Sequence, residues 1–291
     1  MDSLTQIVLG ASVGEAVLGK KIGNKAMLWG AIAGTIPDLD VFLKFITDDI
    51  TSTEMHRGVS HSLVFCIIMA PILGWLVNKI YKKQEATQVN WSWLFFWCLV
   101  THPLLDVHTT WGTQFFWPFE YRIAYKNIFV ADPLYTLPFL ILVLAAMFYK
   151  RTNPKRRKLN NLALIVSTSY MLLTVVFKSI AHYKFSSALE SKNIPYIEMD
   201  TKPTPLNSIL WNGQVETKTG YLSGYYSLFD SKSIDFLKEI PKNHYLLDPY
   251  RDQKVVKQLM NISVGWYYLE KLEDGLLYTD ISIGQIGFDD K

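Results

Sequence analysis

Long apolar runs alternate with short polar connections over residues 1–182 of this 291-residue chain. A helix that crosses the hydrocarbon core of a bilayer needs about 20 mostly apolar residues. Three runs reach that length, one is aromatic-rich and slightly shorter, and two near the N-terminus are shorter still. The six runs are residues 4–18, 26–36, 60–80, 91–107, 131–149 and 159–181. The pattern predicts a mainly α, polytopic transmembrane helical bundle with about 4–6 membrane helices.

The first two runs are rich in Gly and Ala, which allow the backbones of two helices to approach closely. We therefore expect residues 4–18 and 26–36 to form a tightly packed helical hairpin. Because both runs are short, two arrangements are open: the hairpin spans the membrane, or it enters and returns on one side.

The chain changes character after Ala181, where aromatic and β-branched stretches lie near turn signals, a pattern typical of hairpins. The pattern indicates strands at residues 208–211 and 265–269 and helical pieces at residues 233–239 and 252–260. It indicates turns at residues 212–213 and 273–275. We therefore expect two domains. Residues 1–182 form a membrane-embedded helical domain, and residues 183–291 form a β-rich or α+β extramembrane domain.

Charge supports this division and predicts an orientation. Residues 183–291 carry 12 Lys or Arg and 15 Asp or Glu and so a net charge of about −3, which leaves about +6 for the first domain when the whole chain carries +3. Its basic residues cluster in short connections, which favour the cytoplasmic side. The clusters are Lys20, Lys21 and Lys25; Lys79, Lys82 and Lys83; and residues 150–158. If the six runs alternate, the chain is an integral, multi-pass protein of the cytoplasmic (inner) membrane whose C-terminal domain lies on the non-cytoplasmic side.

The charge distribution also indicates which kind of partner to expect. The excess positive charge is explained by membrane topology and accompanies no nucleic-acid-binding motif, so the expected partner is the lipid bilayer and not nucleic acid. Cys66 and Cys98 lie inside apolar runs and form no disulfide framework. The sequence leaves the oligomeric state open.

Polar and ionisable residues collect at the ends of these apolar runs, where they are costly unless they pair, line a wet cavity or bind an ion. They fall in the stretches Ile36–Asp40, His56–Ser62 and His102–His108. In the expected topology all three stretches lie toward the non-cytoplasmic face. This convergence favours a metal site over three unrelated polar segments.

The individual motifs suggest how a metal would be held. His102 and Asp106 are four residues apart, so both project from one face of a helix and can share a divalent ion. Zinc suits mixed nitrogen and oxygen ligands best, with manganese and iron as alternatives. The same spacing also arises as a simple hydrogen bond on a helix surface. His56 and His61, together with Asp38 and Asp40, complete the candidate ligands.

Residues around His61 suggest an anionic substrate. Arg57 offers a planar fork of donors for phosphate or carboxylate, and Gly58 permits close backbone approach. We take Asp38, Asp40 and Arg57 as candidate catalytic residues, with one carboxylate as the base. The remaining candidates for substrate contacts are Ser60, Ser62, His108 and Thr110. Asp38 and Asp40 also have a simpler interpretation as polar residues that mark the exit from the membrane.

Together, Pro37–Asp40, His56-Arg-Gly-Val-Ser-His61-Ser and His102-x-x-x-Asp106 resemble the YdjM/DUF457 family of inner-membrane proteins, which are commonly described as metal-dependent hydrolases. The likeness covers roughly residues 1–150. It implies that the metal ligands are Asp38, Asp40, His56, His61, His102 and Asp106. Relatives often begin Met-Asp-x-x-Thr-His, whereas this chain has Gln6 at the last position. If that His is a ligand, one ligand is missing here.

These observations lead to one hypothesis and one rival. The first is a membrane-bound, metal-dependent hydrolase that acts on a phosphoester or lipid-like substrate at the non-cytoplasmic face, with Arg57 holding the anionic group. The rival is a non-enzymatic metal-binding membrane scaffold or transporter. A transporter needs titratable groups toward both faces, whereas here they collect near one and only Glu15 lies elsewhere.

Overall fold

A computed structural model describes residues 1–81 and 86–284. Lys82 and Lys83 of the predicted cytoplasmic cluster, and residues 285–291 of the predicted C-terminal domain, lie outside the described residues. The α-helices are α1 Ser3–Ile22, α2 Asn24–Thr35, α3 Asp49–Met55, α4 Leu63–Ile80, α5 Gln88–Asp106, α6 Pro133–Met147, α7 Pro154–Ser191 and α8 Lys254–Ser263. Three 3₁₀ helices are η1 Pro37–Phe45, η2 Val59–His61 and η3 His244–Tyr250.

The chain divides into two compact units. The first comprises Met1–Leu43, Met55–Thr174 and Pro205–Asn207, and the second comprises Lys44–Glu54, Val175–Thr204 and Ser208–Lys291. The division falls within α7. The predicted boundary between residues 182 and 183, and the extramembrane location of the C-terminal part, stay predictions.

All six apolar runs are helical, but the predicted count of 4–6 membrane helices is wrong. Within the described residues, α4 and α7 are long and apolar enough to cross a membrane, and α2 with η1 makes a third candidate if this pair, bent by 45°, is one span. The others fall short for physical reasons. α6 has 15 residues. α1 carries Glu15 and a basic end, and α5 includes His102 and Asp106.

The predicted tight hairpin is present in the first unit. α1 and α2 are joined at Gly23, whose φ of 61° suits glycine. A Cβ atom added at Gly10 would clash with the carbonyl of Gly30, and one added at Gly14 would clash with the carbonyl of Ala26. The backbones of the two helices therefore meet directly, which is the contact that small residues permit.

Local capping fixes the starts of α1, α4 and α5. The Asp2 carboxylate accepts from the backbone N–H of Thr5 and starts α1, and the Ser62 hydroxyl accepts from Phe65 N–H and starts α4. Thr87 and Asn90 form a reciprocal capping box at the start of α5. The core of the unit is built on large buried side chains, which include Met27, Trp91, Leu94, Phe95, Leu99 and Phe139.

The second unit contains a four-stranded antiparallel sheet with strand order β1-β2-β3-β4 and a separate β5-β6 hairpin. The strands are β1 Glu198–Pro203, β2 Leu210–Glu216, β3 Gly220–Ser227, β4 Ile240–Pro241, β5 Tyr267–Leu272 and β6 Gly275–Asp280. Trp211 and Tyr226 of the sheet pack against Ala181 and Phe185 of α7. The expected C-terminal sheet region is therefore confirmed.

Two local predictions in this unit were wrong. Asn212-Gly213 lies inside β2, where Phe185 would meet any side chain at position 213, so close packing explains the glycine and no turn forms. Residues 233–239 form no helix; Phe236 makes an isolated bridge with Gly224. The turn between β5 and β6 and the helix over most of residues 252–260 are present.

Candidate metal centre

Four side chains from three elements converge in the first unit: Asp38 from η1, His61 from η2, and His102 and Asp106 from α5. One ligand atom of each lies within 4.8 Å of those of the other three. His61, His102 and Asp106 are fully buried, whereas the Asp38 side chain is 22% exposed. Two imidazoles and two carboxylates placed together in this way could hold a metal ion.

The local sequence explains the convergence. Pro37 follows the last residues of α2 and opens η1, which carries Asp38 into the group. His61 is held just before Ser62 caps α4. His102 and Asp106 project from one face of α5 because they are one helical turn apart. Three helix ends thus supply four ligand atoms to one place.

Both histidines present Nε2 to this place because Nδ1 is engaged elsewhere. Nδ1 of His102 lies 2.6 Å from the carbonyl oxygen of Gly34, which can only accept, so Nδ1 carries the proton. Nδ1 of His61 lies 2.9 Å from the Ser60 hydroxyl, which itself donates to Asp40 Oδ2. The hydroxyl therefore accepts from His61. In the neutral form of each ring the remaining lone pair is therefore on Nε2.

The distances among the four acceptor atoms match a small coordination shell. The two Nε2 atoms are 3.1 Å apart. Asp38 Oδ1 lies 3.4 Å from His61 Nε2 and 3.3 Å from His102 Nε2, and Asp106 Oδ2 lies 3.6 Å and 3.8 Å from the same atoms. A tetrahedral site with ligand distances of about 2.0–2.1 Å has edges of about 3.3–3.4 Å. A proton or a metal ion shared by these atoms would relieve the repulsion among their lone pairs.

Asp40 and His56 were predicted as ligands, but the structure places them beside the four-residue group and not in it. Asp40 Oδ2 lies 3.4 Å from Nδ1 of His61, on the side of the ring opposite Nε2. Its other oxygen lies 2.8 Å from Nδ1 of His56. The side chain of His56 is 34% exposed. Asp40 is therefore positioned to orient His61, as carboxylates do behind many metal-binding histidines.

Arg57 is buried against Asp106. Its Nε lies 3.0 Å from Asp106 Oδ2, and its Nη1 donates to the Thr109 hydroxyl over 2.8 Å. The backbone at Arg57 has a φ of 58°, an unusual value for a residue with a side chain, and its N–H donates to Asp40 Oδ2. The structure thus shows Arg57 balancing the charge of Asp106. Binding of a substrate anion by this side chain stays a prediction.

Two groups from the start of the chain also reach Asp106. Nε2 of Gln6 donates to Asp106 Oδ1 over 2.8 Å and lies 3.3 Å from the carbonyl oxygen of His102. The amino group of Met1 is hydrogen-bonded to the same carboxylate oxygen. Gln6 is buried, and its Oε1 has no hydrogen-bond partner within residues 1–81 and 86–284. Gln6 therefore lies beside the site.

The other predicted substrate contacts are in different surroundings. Ser62 caps α4 and also donates to the Val59 carbonyl. His108 lies 2.9 Å from Asn127 through Nδ1. Burial lowers the pKa of His108, and the hydrogen bond with Asn127 opposes that shift. Thr110 is partly exposed beyond the end of α5, whereas its neighbour Thr109 is buried and donates to the Asp106 carbonyl. The substrate roles of Ser60, Ser62, His108 and Thr110 stay predictions.

Sequence patterns did not reveal two of the contacts that shape the site. The Gly34 carbonyl orients His102, but a backbone carbonyl has no side-chain signature. Thr109 holds Arg57, but the pair Thr109-Thr110 after the His102-x-x-x-Asp106 motif does not by itself indicate that contact.

Comparison with known proteins agrees with the motifs. The family model described as YdjM inner membrane protein matches residues 1–181. This range contains every member of the candidate metal centre. No curated protein and no solved structure matches the chain.

Proposed function

The chain belongs to the YdjM inner membrane protein family, as its motifs predict, and from this premise we propose that it is a metal-dependent hydrolase that acts on a phosphoester at the membrane. The observation that carries the proposal is the convergence of two Nε2 lone pairs and two carboxylates at distances suited to a divalent ion. Zinc is the metal that best fits two imidazoles and two carboxylates, with manganese and iron as alternatives.

We assign three of the four residues as metal ligands and the fourth as the general base. His61, His102 and Asp106 are fully buried and would hold the ion, as three protein ligands do in catalytic zinc sites. A divalent ion bound there supplies a water of lowered pKa and polarises the ester. Asp38, the partly exposed member, would accept the proton of the attacking water.

Surrounding residues hold these side chains in their orientations. Asp40 and Ser60 hold Nδ1 of His61, and the Gly34 carbonyl holds Nδ1 of His102. Arg57 offsets part of the negative charge of Asp106 and fixes its orientation. Such supporting contacts set the basicity and direction of the ligands.

We also propose a location. The basic clusters support a cytoplasmic location for the connections between α1 and α2 and between α6 and α7. In that orientation the metal centre of a multi-pass first unit would face the non-cytoplasmic side. The C-terminal domain of the chain would lie on that side too. The lipid bilayer is then the principal partner, and no nucleic acid is involved.

One observation favours the rival. Four protein ligands are typical of structural zinc sites, in which the metal stabilises the fold and no coordination position stays open. Asp38→Asn separates the two functions. In a hydrolase, the variant keeps its metal and its thermal stability but loses most turnover of a phosphoester panel. In a metal-binding scaffold, wild type turns over nothing and the variant melts at a lower temperature. Metal-dependent Zn²⁺ flux into proteoliposomes would instead support a transporter.

A further inference from the structure

Of the four side chains that form the metal centre, one is exposed at the protein surface. His61, His102 and Asp106 have no exposed side-chain surface, whereas Asp38 is 22% exposed. A substrate that reaches the centre must therefore approach past Asp38, and so along η1. The surface of η1 decides what kind of molecule that is.

η1 is amphipathic at this approach. The carboxylate of Asp40 turns inward to His61, while Leu39, Val41 and Phe42 are 52%, 44% and 57% exposed. Large apolar side chains exposed side by side mark contact with a partner or a membrane. An approach lined by such residues would bind a fully water-soluble phosphoester weakly.

Exposed apolar side chains are present on α2 as well as on η1. Leu28 and Ile32 of α2 are exposed, and α2 and η1 together are long and apolar enough to form a bent membrane span. A bend next to carboxylates is tolerated within a membrane where those groups are buried in protein or line a wet cavity. The exposed face of η1 thus belongs to a candidate membrane span whose exposed apolar side chains suit acyl chains.

We propose that the metal centre opens laterally to the bilayer along η1, and that its substrate is a phosphoester carried by a membrane lipid whose acyl chains lie against Leu39, Val41 and Phe42. The lipid phosphate would reach Asp38 while its chains stay in the bilayer. The lateral opening stands on exposure alone, whereas the hydrolysis of that lipid rests on the proposed function.

Spin labels test the opening directly. Leu39→Cys and Phe42→Cys, in a Cys66→Ala/Cys98→Ala background, are labelled with a nitroxide and reconstituted in phosphatidylcholine nanodiscs. Leu162→Cys on α7 serves as a lipid-facing control and Lys218→Cys as a water-exposed control. We expect labels at 39, 42 and 162 to be relaxed by oxygen and shielded from a water-soluble nickel chelate, with the reverse at 218. Nickel access at 39 and 42 equal to that at 218 would overturn the lateral opening.

The same labels distinguish a lipid-borne from a free phosphoester. Dioleoyl phosphatidate replacing part of the phosphatidylcholine should slow the motion of the label at 42 several-fold more than at 162. Glycerol 3-phosphate in the water should leave both labels unchanged. Equal effects of the two probes, or no effect of phosphatidate, would overturn the lipid substrate.

Neither readout depends on turnover. If the labels behave as expected but the protein hydrolyses no phosphoester, the proposed chemistry fails and the lateral opening stands. If turnover is observed but the labels at 39 and 42 face water, the chemistry stands and the lipid route fails.

Discussion

His61 and His102 face each other through their Nε2 atoms at a separation of 3.1 Å, and each ring is held in that direction by a different partner at Nδ1. Two imidazoles turned toward each other in a buried place, with two carboxylates completing the group, would repel without a cation between them.

Asp40 should act through His61 and not as a ligand. In Asp40→Asn the imidazole of His61 loses its anionic partner, so metal affinity should fall by roughly 10–100-fold while one ion per chain still binds at saturation. Competition against a chromophoric chelator measures this. Asp274→Asn, in the turn between β5 and β6, is the matched control. Complete loss of the ion at saturating metal would make Asp40 a direct ligand.

Gln6 should tune the site through Asp106. Replacing it with Leu keeps the volume and removes the donor to Asp106 Oδ1, so metal affinity should fall by roughly tenfold or more without loss of stoichiometry. The chelator competition used for Asp40 is the readout. An unchanged affinity would mean that Gln6 only fills space beside the carboxylate.

The α1–α2 hairpin should not tolerate a methyl group at its contact. In Gly30→Ala the new Cβ would clash with the Gly10 carbonyl, and forcing the helices apart should cost about 1–3 kcal/mol. Thermal unfolding in detergent measures the change. Gly275→Ala, where a Cβ meets no atom within 4 Å, is the control. Equal melting temperatures of the two variants would contradict the close packing.

Glu15 and Arg156 form a buried ion pair in the first unit, with Arg156 Nε 2.6 Å from Glu15 Oε1. Removal of one partner leaves the other charge buried, so Glu15→Leu or Arg156→Met alone should cost about 3–5 kcal/mol. The double variant Glu15→Leu/Arg156→Met should recover much of that loss, while bound metal stays at the wild-type amount. Additive losses in a double-mutant cycle would show that the two charges do not depend on each other.

Hydrophobic pattern and helix chemistry made much of the first unit predictable. The six apolar runs became helices, and the small residues of the first two predicted the hairpin contact between Gly10 and Gly30. The number of membrane-crossing helices was not predictable in the same way. The ion pair with Arg156 allows α1 to carry the charged residue Glu15 in its interior. α1 is therefore a long helix that is not apolar enough to count as a candidate membrane span.

The site was predictable in its members but not in their arrangement. The four-residue spacing of His102 and Asp106 fixed their common face, whereas the distinction between Asp38 and Asp40 depends on how η1 turns after Pro37. Two carboxylates separated by one residue look equivalent in the sequence. In the structure one reaches Nε2 of His61 and the other reaches Nδ1. Tertiary contacts, above all the Gly34 carbonyl, decide which nitrogen faces the centre.

The most direct test of a metal centre is elemental analysis of the purified, monodisperse protein after reconstitution with zinc, manganese or iron, one at a time. Wild type is compared with His61→Ala/His102→Ala and with His244→Ala, which removes an imidazole of the second unit. We predict about one ion per chain in wild type and in His244→Ala, and none in the double variant. Equal metal in all three proteins, or no metal in wild type with any of the three ions, would contradict the centre.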